Sequence, residues 1–381
     1  MSVFPKGHGQ SVPGIAYHEK NSTIIKDSNT VFSAKVLADA IMQESRDPDS
    51  ILFQIYSWIG NNIAYDPAQL DHPTPYSSTS DLIQQVLKTR AAICQGYSAL
   101  FDELCHLCGI TSYVVTGYTQ HEGIIDKIPH AWNAARINDK WYLFDPTWGA
   151  GGLQENIFIR HFSLDYYKIP PSISILQRMP FDPSWQLLPS PLRYEDFITG
   201  GETPETGDHY NFNDSIELFL AASPSDKLAI ESRRVHERGL ANPLIIEYCK
   251  FLDNSLEVYH ANQMIDKKNA VVSEGNDAIE NFNKSVNTFN QYVHAKNKQF
   301  RKPNLSDSEI RRMIEDTDSL LLSSELVVKS LHSEDPGLKR NITELSRNIS
   351  DLRKAVDKEK IFVKKYCQTP AAKRVTLFSG R

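Results

Sequence analysis

His130-Ala131-Trp132-Asn133-Ala134-Ala135-Arg136-Ile137, then Asn138-Asp139, then Lys140-Trp141-Tyr142-Leu143-Phe144-Asp145-Pro146-Thr147 is the stretch that decides the fold. Asn and Asp tolerate left-handed backbone, so this dipeptide between two aromatic-bearing runs predicts a β-hairpin with a two-residue turn. Strands are expected over His130–Ile137 and Trp141–Thr147. In that register Ile137 faces Lys140, Trp132 lies opposite Asp145, and His130 lies opposite Thr147. Side chains alternate along a strand, so His130, Trp132, Asp145 and Thr147 should share one face. His130 and Asp145 are then diagonal neighbours, within reach of each other.

Working outward, the run Thr89-Arg90-Ala91-Ala92-Ile93-Cys94-Gln95-Gly96-Tyr97 precedes the hairpin. Apolar spacing at Tyr97, Leu100, Phe101, Leu104 and Cys108 predicts a helix opening at Cys94 and stopping at Gly109. A thiol at a helix start feels the positive end of the dipole, and a neighbouring imidazolium favours the thiolate further. If that helix start packs against the His130 face, Cys94 is the nucleophile and His130 the base. Asp145 then holds the useful imidazole tautomer. Unpaired backbone N–H groups around Cys94 would meet the oxyanion, and Gly96 permits close approach behind the thiol.

A third strand is expected over Ser112–Thr119, and helices over Val31–Met42 and Ile51–Ile59, the latter ending near Gly60-Asn61-Asn62. Helices followed by adjacent antiparallel strands indicate an α+β domain. Residues 1–28 resemble a wrapped arm, and Pro170–Gly207 an irregular wrap that passes into a linker. The expected organisation is a catalytic domain over 1–200 (core 30–190), a linker over 201–213, and a helical domain over 214–381 with a frayed tail. In that last part Ile279, Phe282, Val286, Phe289 and Val293 repeat at 3-4 spacing, as do Ile342, Leu345, Ile349, Leu352 and Val356. Turns at Lys302-Pro303-Asn304 and Asp335-Pro336-Gly337 complete an all-α bundle or long helical hairpin.

The chain has 381 residues, 40% hydrophobic and 23% charged, the composition of an ordinary globular protein. A net charge of -6 supplies no electrostatic footprint for nucleic acid or an anionic membrane. The start Met1-Ser2-Val3-Phe4-Pro5-Lys6-Gly7-His8 lacks the apolar core of a secretory signal, and no stretch is apolar for long enough to span a bilayer. The cytoplasm is therefore expected. Five cysteines without framework spacing suit reduced thiols. Cys105-His106-Leu107-Cys108 has no second ligand pair, so packing is expected there rather than redox chemistry or zinc, and neither metal nor cofactor is expected.

These runs resemble the transglutaminase-like superfamily, particularly the branch of the kyphoscoliosis peptidase. The matching pieces are Ser57-Trp58-Ile59, Asn62-Ile63-Ala64-Tyr65-Asp66, Leu87-Lys88-Thr89-Arg90 and Cys94-Gln95-Gly96-Tyr97. His130-Ala131-Trp132-Asn133, Trp141 to Gly151 and Phe181-Asp182-Pro183-Ser184-Trp185 complete the set, which covers roughly residues 50 to 190. The resemblance implies a papain-like core with Cys94 as nucleophile, His130 as base and Asp145 as orienter. Trp58, Gln95 and Trp132 are candidates for the oxyanion or substrate site. Closely spaced acids of a calcium loop are absent from the sequence, so calcium activation is not expected. The expected reaction is acyl transfer from a protein or peptide amide, hydrolytic as in a cysteine peptidase or glutamine deamidase, with crosslinking as the alternative. A non-catalytic module that binds a protein partner through the C-terminal helices is the alternative of another class.

Overall fold

A computed structural model describes residues 33–199 and 210–378. The N-terminal arm, Val31, most of the expected linker and the last three residues lie outside the described residues.

Ser33 caps the first helix, α1 (Ala34–Glu44), by accepting the Val36 N–H. Asp47 does the same for α2 (Pro48–Asn62), with Pro48 in the first turn. α2 ends within the expected Gly60-Asn61-Asn62 stop, and Gly60 itself lies in its last turn. A Cβ there would come within 2.7 Å of Phe162. Next come β1 (Ala64–Tyr65), α3 (Ala68–Asp71), α4 (Thr79–Thr89), β2 (Ala91–Ala92) and α5 (Cys94–Leu107). Then follow β3 (Ser112–His121), β4 (Ile124–Ile125), β5 (His130–Ile137) and β6 (Lys140–Phe144). A short α6 (Pro146–Ala150), the hairpin β7 (Gly151–Gln154) and β8 (Ile157–Arg160), and α7 (Pro171–Ser174) lead to β9 (Arg178–Pro180) and α8 (Tyr194–Thr199).

The central sheet runs β4-β3-β5-β6, with β9 pairing on β3. Asn138 and Asp139 have φ of 49° and 60°, the left-handed pair that a tight two-residue hairpin turn needs. Ile137 faces Lys140 and the ladder runs to Asn133 opposite Phe144, the expected register. It stops there. Pro146 has no N–H to continue a ladder, and the chain turns into α6, so the expected strand to Thr147 ends at Phe144 instead.

Period-two alternation sorts the sheet's two faces. Ala135, Ile137 and Phe144 pack with Ile55, Ile59, Tyr97, Phe101 and Leu104 of the helices. Trp132, Ala134, Trp141 and Leu143 pack with Trp185, Ile216 and Phe219. The segment expected as an irregular wrap therefore carries an edge strand, a 3-10 turn (Pro183–Gln186) and a fully buried tryptophan.

The chain divides into two compact units, Met1–Glu257 and Val258–Arg381. This differs from the boundary expected near residue 214. Helices α9 (Phe212–Ala221) and α10 (Pro224–Arg238), with the start of α11 (Pro243–Asn297), pack on the first unit. Ile216 and Phe219 join the Trp132 cluster, while Val235, Ile245, Cys249 and Leu252 bury with Tyr118, Met179 and Phe197. Apolar faces, rather than a change in sequence texture, set the boundary.

The second unit is helical: the rest of α11, α12 (Asp307–Ser330) and α13 (Pro336–Gln368). Its buried stripe on α11 is Ala278, Ser285 and Tyr292, rotated from the expected line, and Ile279 is 43% exposed. Small residues permit the close approach: the Ser324 hydroxyl donates to the Ala278 carbonyl at 2.7 Å. Among the described residues no helix is long and apolar enough to cross a membrane.

Candidate active site

Asp145 leaves the sheet as the N-cap of α6. Its Oδ1 accepts the Trp148 N–H at 3.0 Å, which fixes the carboxylate plane. Its Oδ2 accepts from His130 Nε2 at 2.9 Å and from Arg178 Nε at 2.9 Å. Asp145 is fully buried. The expected His–Asp contact thus forms, but Thr147, sent into α6, takes no place beside them on the sheet.

Cys94 opens α5. Among the described residues no side chain caps this helix, so the N–H groups of Cys94 and Gln95 are open to an incoming acceptor. The thiol lies near enough to the His130 ring to favour its imidazolium, while the ring's Nε2 is taken by Asp145. Contrary to the expected packing, α5 lies on the face of Ala135 and Ile137, not that of Trp132. Cys94 meets His130 at the first residue of β5, beyond the end of the β6 ladder. Two features lock α5 there. Asn133 Nδ2, fully buried, donates to the Ser98 carbonyl at 3.0 Å. Gly96 lets the helix approach α4, since a Cβ would lie 2.7 Å from Ala92 and 2.8 Å from Val86.

Aromatic rings enclose the imidazole. Trp148 stacks on it at 5.2 Å and Trp132 at 6.0 Å between centroids. Gly117, opposite His130 on β3, makes room for Trp132, because a Cβ would come within 2.6 Å of that indole. Arg178 lies 4.0 Å from the Trp148 ring centroid and 5.2 Å from that of Tyr166.

Charge follows from this packing. Burial opposes the His130 imidazolium, but the Asp145 carboxylate, its hydrogen bond and Cys94 outweigh it and push His130 well above its ordinary value. Burial likewise opposes the Asp145 anion, yet His130, Arg178 and the Trp148 N–H hold its carboxyl below the usual carboxylate range.

Of the other candidates, Trp132 is buried against His130 and Gln95 is exposed beside Cys94. Trp58 packs instead under the Arg90 guanidinium, 4.8 Å away, and its indole N–H makes no hydrogen bond among the described residues. Sequence analysis missed Arg178, Trp148 and Tyr166. The available signal for Arg178 was one charge inside an apolar run, Ile175-Leu176-Gln177-Arg178-Met179-Pro180-Phe181. Cys105 is buried in the helical core and Cys108 lies against the Ala38 carbonyl, both as free thiols.

The curled antiparallel sheet with its packed helices is a transglutaminase-like core, and residues 35–146 match the model of the transglutaminase-like superfamily. The chain is similar to the kyphoscoliosis peptidase. The human protein of that name is 30% identical over 172 residues, 42% of this chain and 25% of its own length. Hillarin from Drosophila melanogaster is 25% identical over 188 residues, 44% of this chain and 22% of its own. The chain therefore spans about a quarter of the length of these relatives. Among solved structures, the periplasmic domain of TgpA from Pseudomonas aeruginosa is 20% identical, covers 32% of this chain and 44% of that one, and superposes with a TM-score of 0.27.

Proposed function

We propose that the first unit is a thiol-dependent acyl-transfer enzyme acting on protein or peptide amides, with Cys94, His130 and Asp145 as its catalytic residues. The observation that carries this is the buried His130–Asp145 hydrogen bond at 2.9 Å with the Cys94 thiol, at the start of α5, beside the same imidazole. Cys94 passes its proton to His130 and the sulfur adds to the amide carbonyl, whose oxygen takes the negative charge beside the open N–H groups of α5. His130 returns the proton to the leaving amine as the C–N bond breaks, which gives a thioester. Water, deprotonated by His130, releases the acid and restores the thiol. Hydrolysis is favoured over transfer to a lysine amine because the similar human protein is named a peptidase. The five cysteines are free, which suits a reducing compartment such as the cytoplasm.

Helices α11 to α13 are the proposed seat of a protein partner, as Val258, Met264 and Ile265 stand 59%, 63% and 55% exposed. Iodoacetamide labelling across pH tests the enzymatic reading. Selective modification of Cys94 near neutral pH is expected in the native protein, and its loss in His130→Ala. Labelling of Cys94 only above about pH 8.5, the range of an ordinary thiol, would sink the mechanism.

A further inference from the structure

We propose that Arg178 is a positioning residue of this thiol site: it neutralises Asp145 inside the protein and presses Trp148 onto His130, so that proton exchange between Cys94 and His130 occurs in a buried cluster without net charge. The inference rests on the acyl-transfer reading above and adds a residue to it.

Arg178 is 2% exposed, and its bond to Asp145 Oδ2 is the single side-chain hydrogen bond it makes among the described residues. Its Nη2 has no partner among them. A buried guanidinium that knits a fold spreads its five donors over several acceptors. This one commits its polar contact to the carboxylate oxygen that also holds His130. It lies over Trp148, whose ring also stacks on His130 and meets His121 and Tyr166.

The charge count gives the reason. Arg178 and Asp145 cancel. The remaining pair is either thiol with imidazole or thiolate with imidazolium, and both sum to zero. Without Arg178 the buried cluster carries one negative charge, and a low-dielectric site relieves that by taking a proton from solvent onto His130. The product is an imidazolium beside an intact thiol, the wrong state for attack. No other neighbour among the described residues replaces the lost cation. Tyr56 and Tyr166 are phenols pushed up by burial and so uncharged, Asp165 is an exposed acid, and His121, across Trp148, faces Asp126 at 3.4 Å.

The test follows the His130 ring by NMR in histidine-labelled protein, assigned by its loss in His130→Gln. Arg178→Gln is expected to raise the His130 midpoint by about half a pH unit or more. Arg178→Lys is expected to return the midpoint towards that of the native protein. An unmoved midpoint in folded Arg178→Gln overturns the proposal and leaves Arg178 a packing residue. If Arg178→Gln does not fold, the double variant Asp145→Asn/Arg178→Gln is expected to fold, since both charges are gone. Failure of the double variant also overturns it. The titration needs no turnover, so a native protein without amide activity would defeat the acyl-transfer reading and leave this measurement intact.

Discussion

Two of the carboxyl groups buried in the first unit titrate in opposite directions. Asp145 at the thiol site is held below the usual carboxylate range, whereas Glu231 on α10 is pushed up to about 7. Burial raises both. The difference lies in the donors. Asp145 receives two cations and a backbone N–H. Glu231 receives one hydroxyl, from Tyr248 at 2.5 Å, and lies near a second acid, Asp182. The neighbouring guanidinium of Arg234 is spent on Asp182 at 2.8 Å and on the Ser215 carbonyl at 2.8 Å. Partners, not depth, set the charge of a buried acid.

The largest expected effect breaks the Asp145 side of this contrast. Asp145→Ala leaves Arg178 as an unpaired buried cation and is expected to remove about 3–5 kcal/mol of stability in urea unfolding. A loss under about 1 kcal/mol would mean that water reaches the site and that the charge balance has no force.

The next effect is a pH slope. Glu231 keeps its proton in the folded chain between 4.5, the ordinary value of a glutamate, and about 7, while the unfolded chain has released it. Stability from this group is therefore full below that window and lost as pH rises through it, by at most about 3 kcal/mol. Asp145 has the reverse sign, contributing above its ordinary range and losing that contribution as pH falls below it. Unfolding of Glu231→Gln between pH 4.5 and 7 should lack the downward slope of the native protein. Parallel curves would refute the assignment.

The smallest effect sharpens the comparison. Tyr248→Phe removes the hydroxyl that donates to Glu231 and that itself accepts from the Thr116 hydroxyl at 3.1 Å. A loss of about 1–2 kcal/mol is expected, greater at pH 8 than at pH 5 because the anion depends on that donor more than the acid does. Equal losses at both pH values would count against it.

Much of the thiol site was legible before any coordinates. A two-residue Asn-Asp turn admits one register, and period two then places His130 and Trp132 together. The helix opening at Cys94 followed from apolar spacing and the stop near Gly109. Local rules of short range governed these features. The same rules failed where a partner came from far along the chain. The stop of β6 at Phe144 placed Asp145 in a helix cap rather than on the sheet face. The path of α5 over the opposite face was likewise invisible, because an amphipathic helix does not state which side of a sheet it covers.

The chain by itself determined the order of thiol, imidazole and carboxylate, the register that presents His130, and the helix that presents Cys94, since turn chemistry and side-chain periodicity act over a few residues. Tertiary structure alone decided how Asp145 is charged. Its second cation arrives 33 residues later on a three-residue edge strand, from a segment too short to show a period. It also decided where the first unit ends, because helices α9 and α10 join the sheet through buried faces that local sequence texture does not mark.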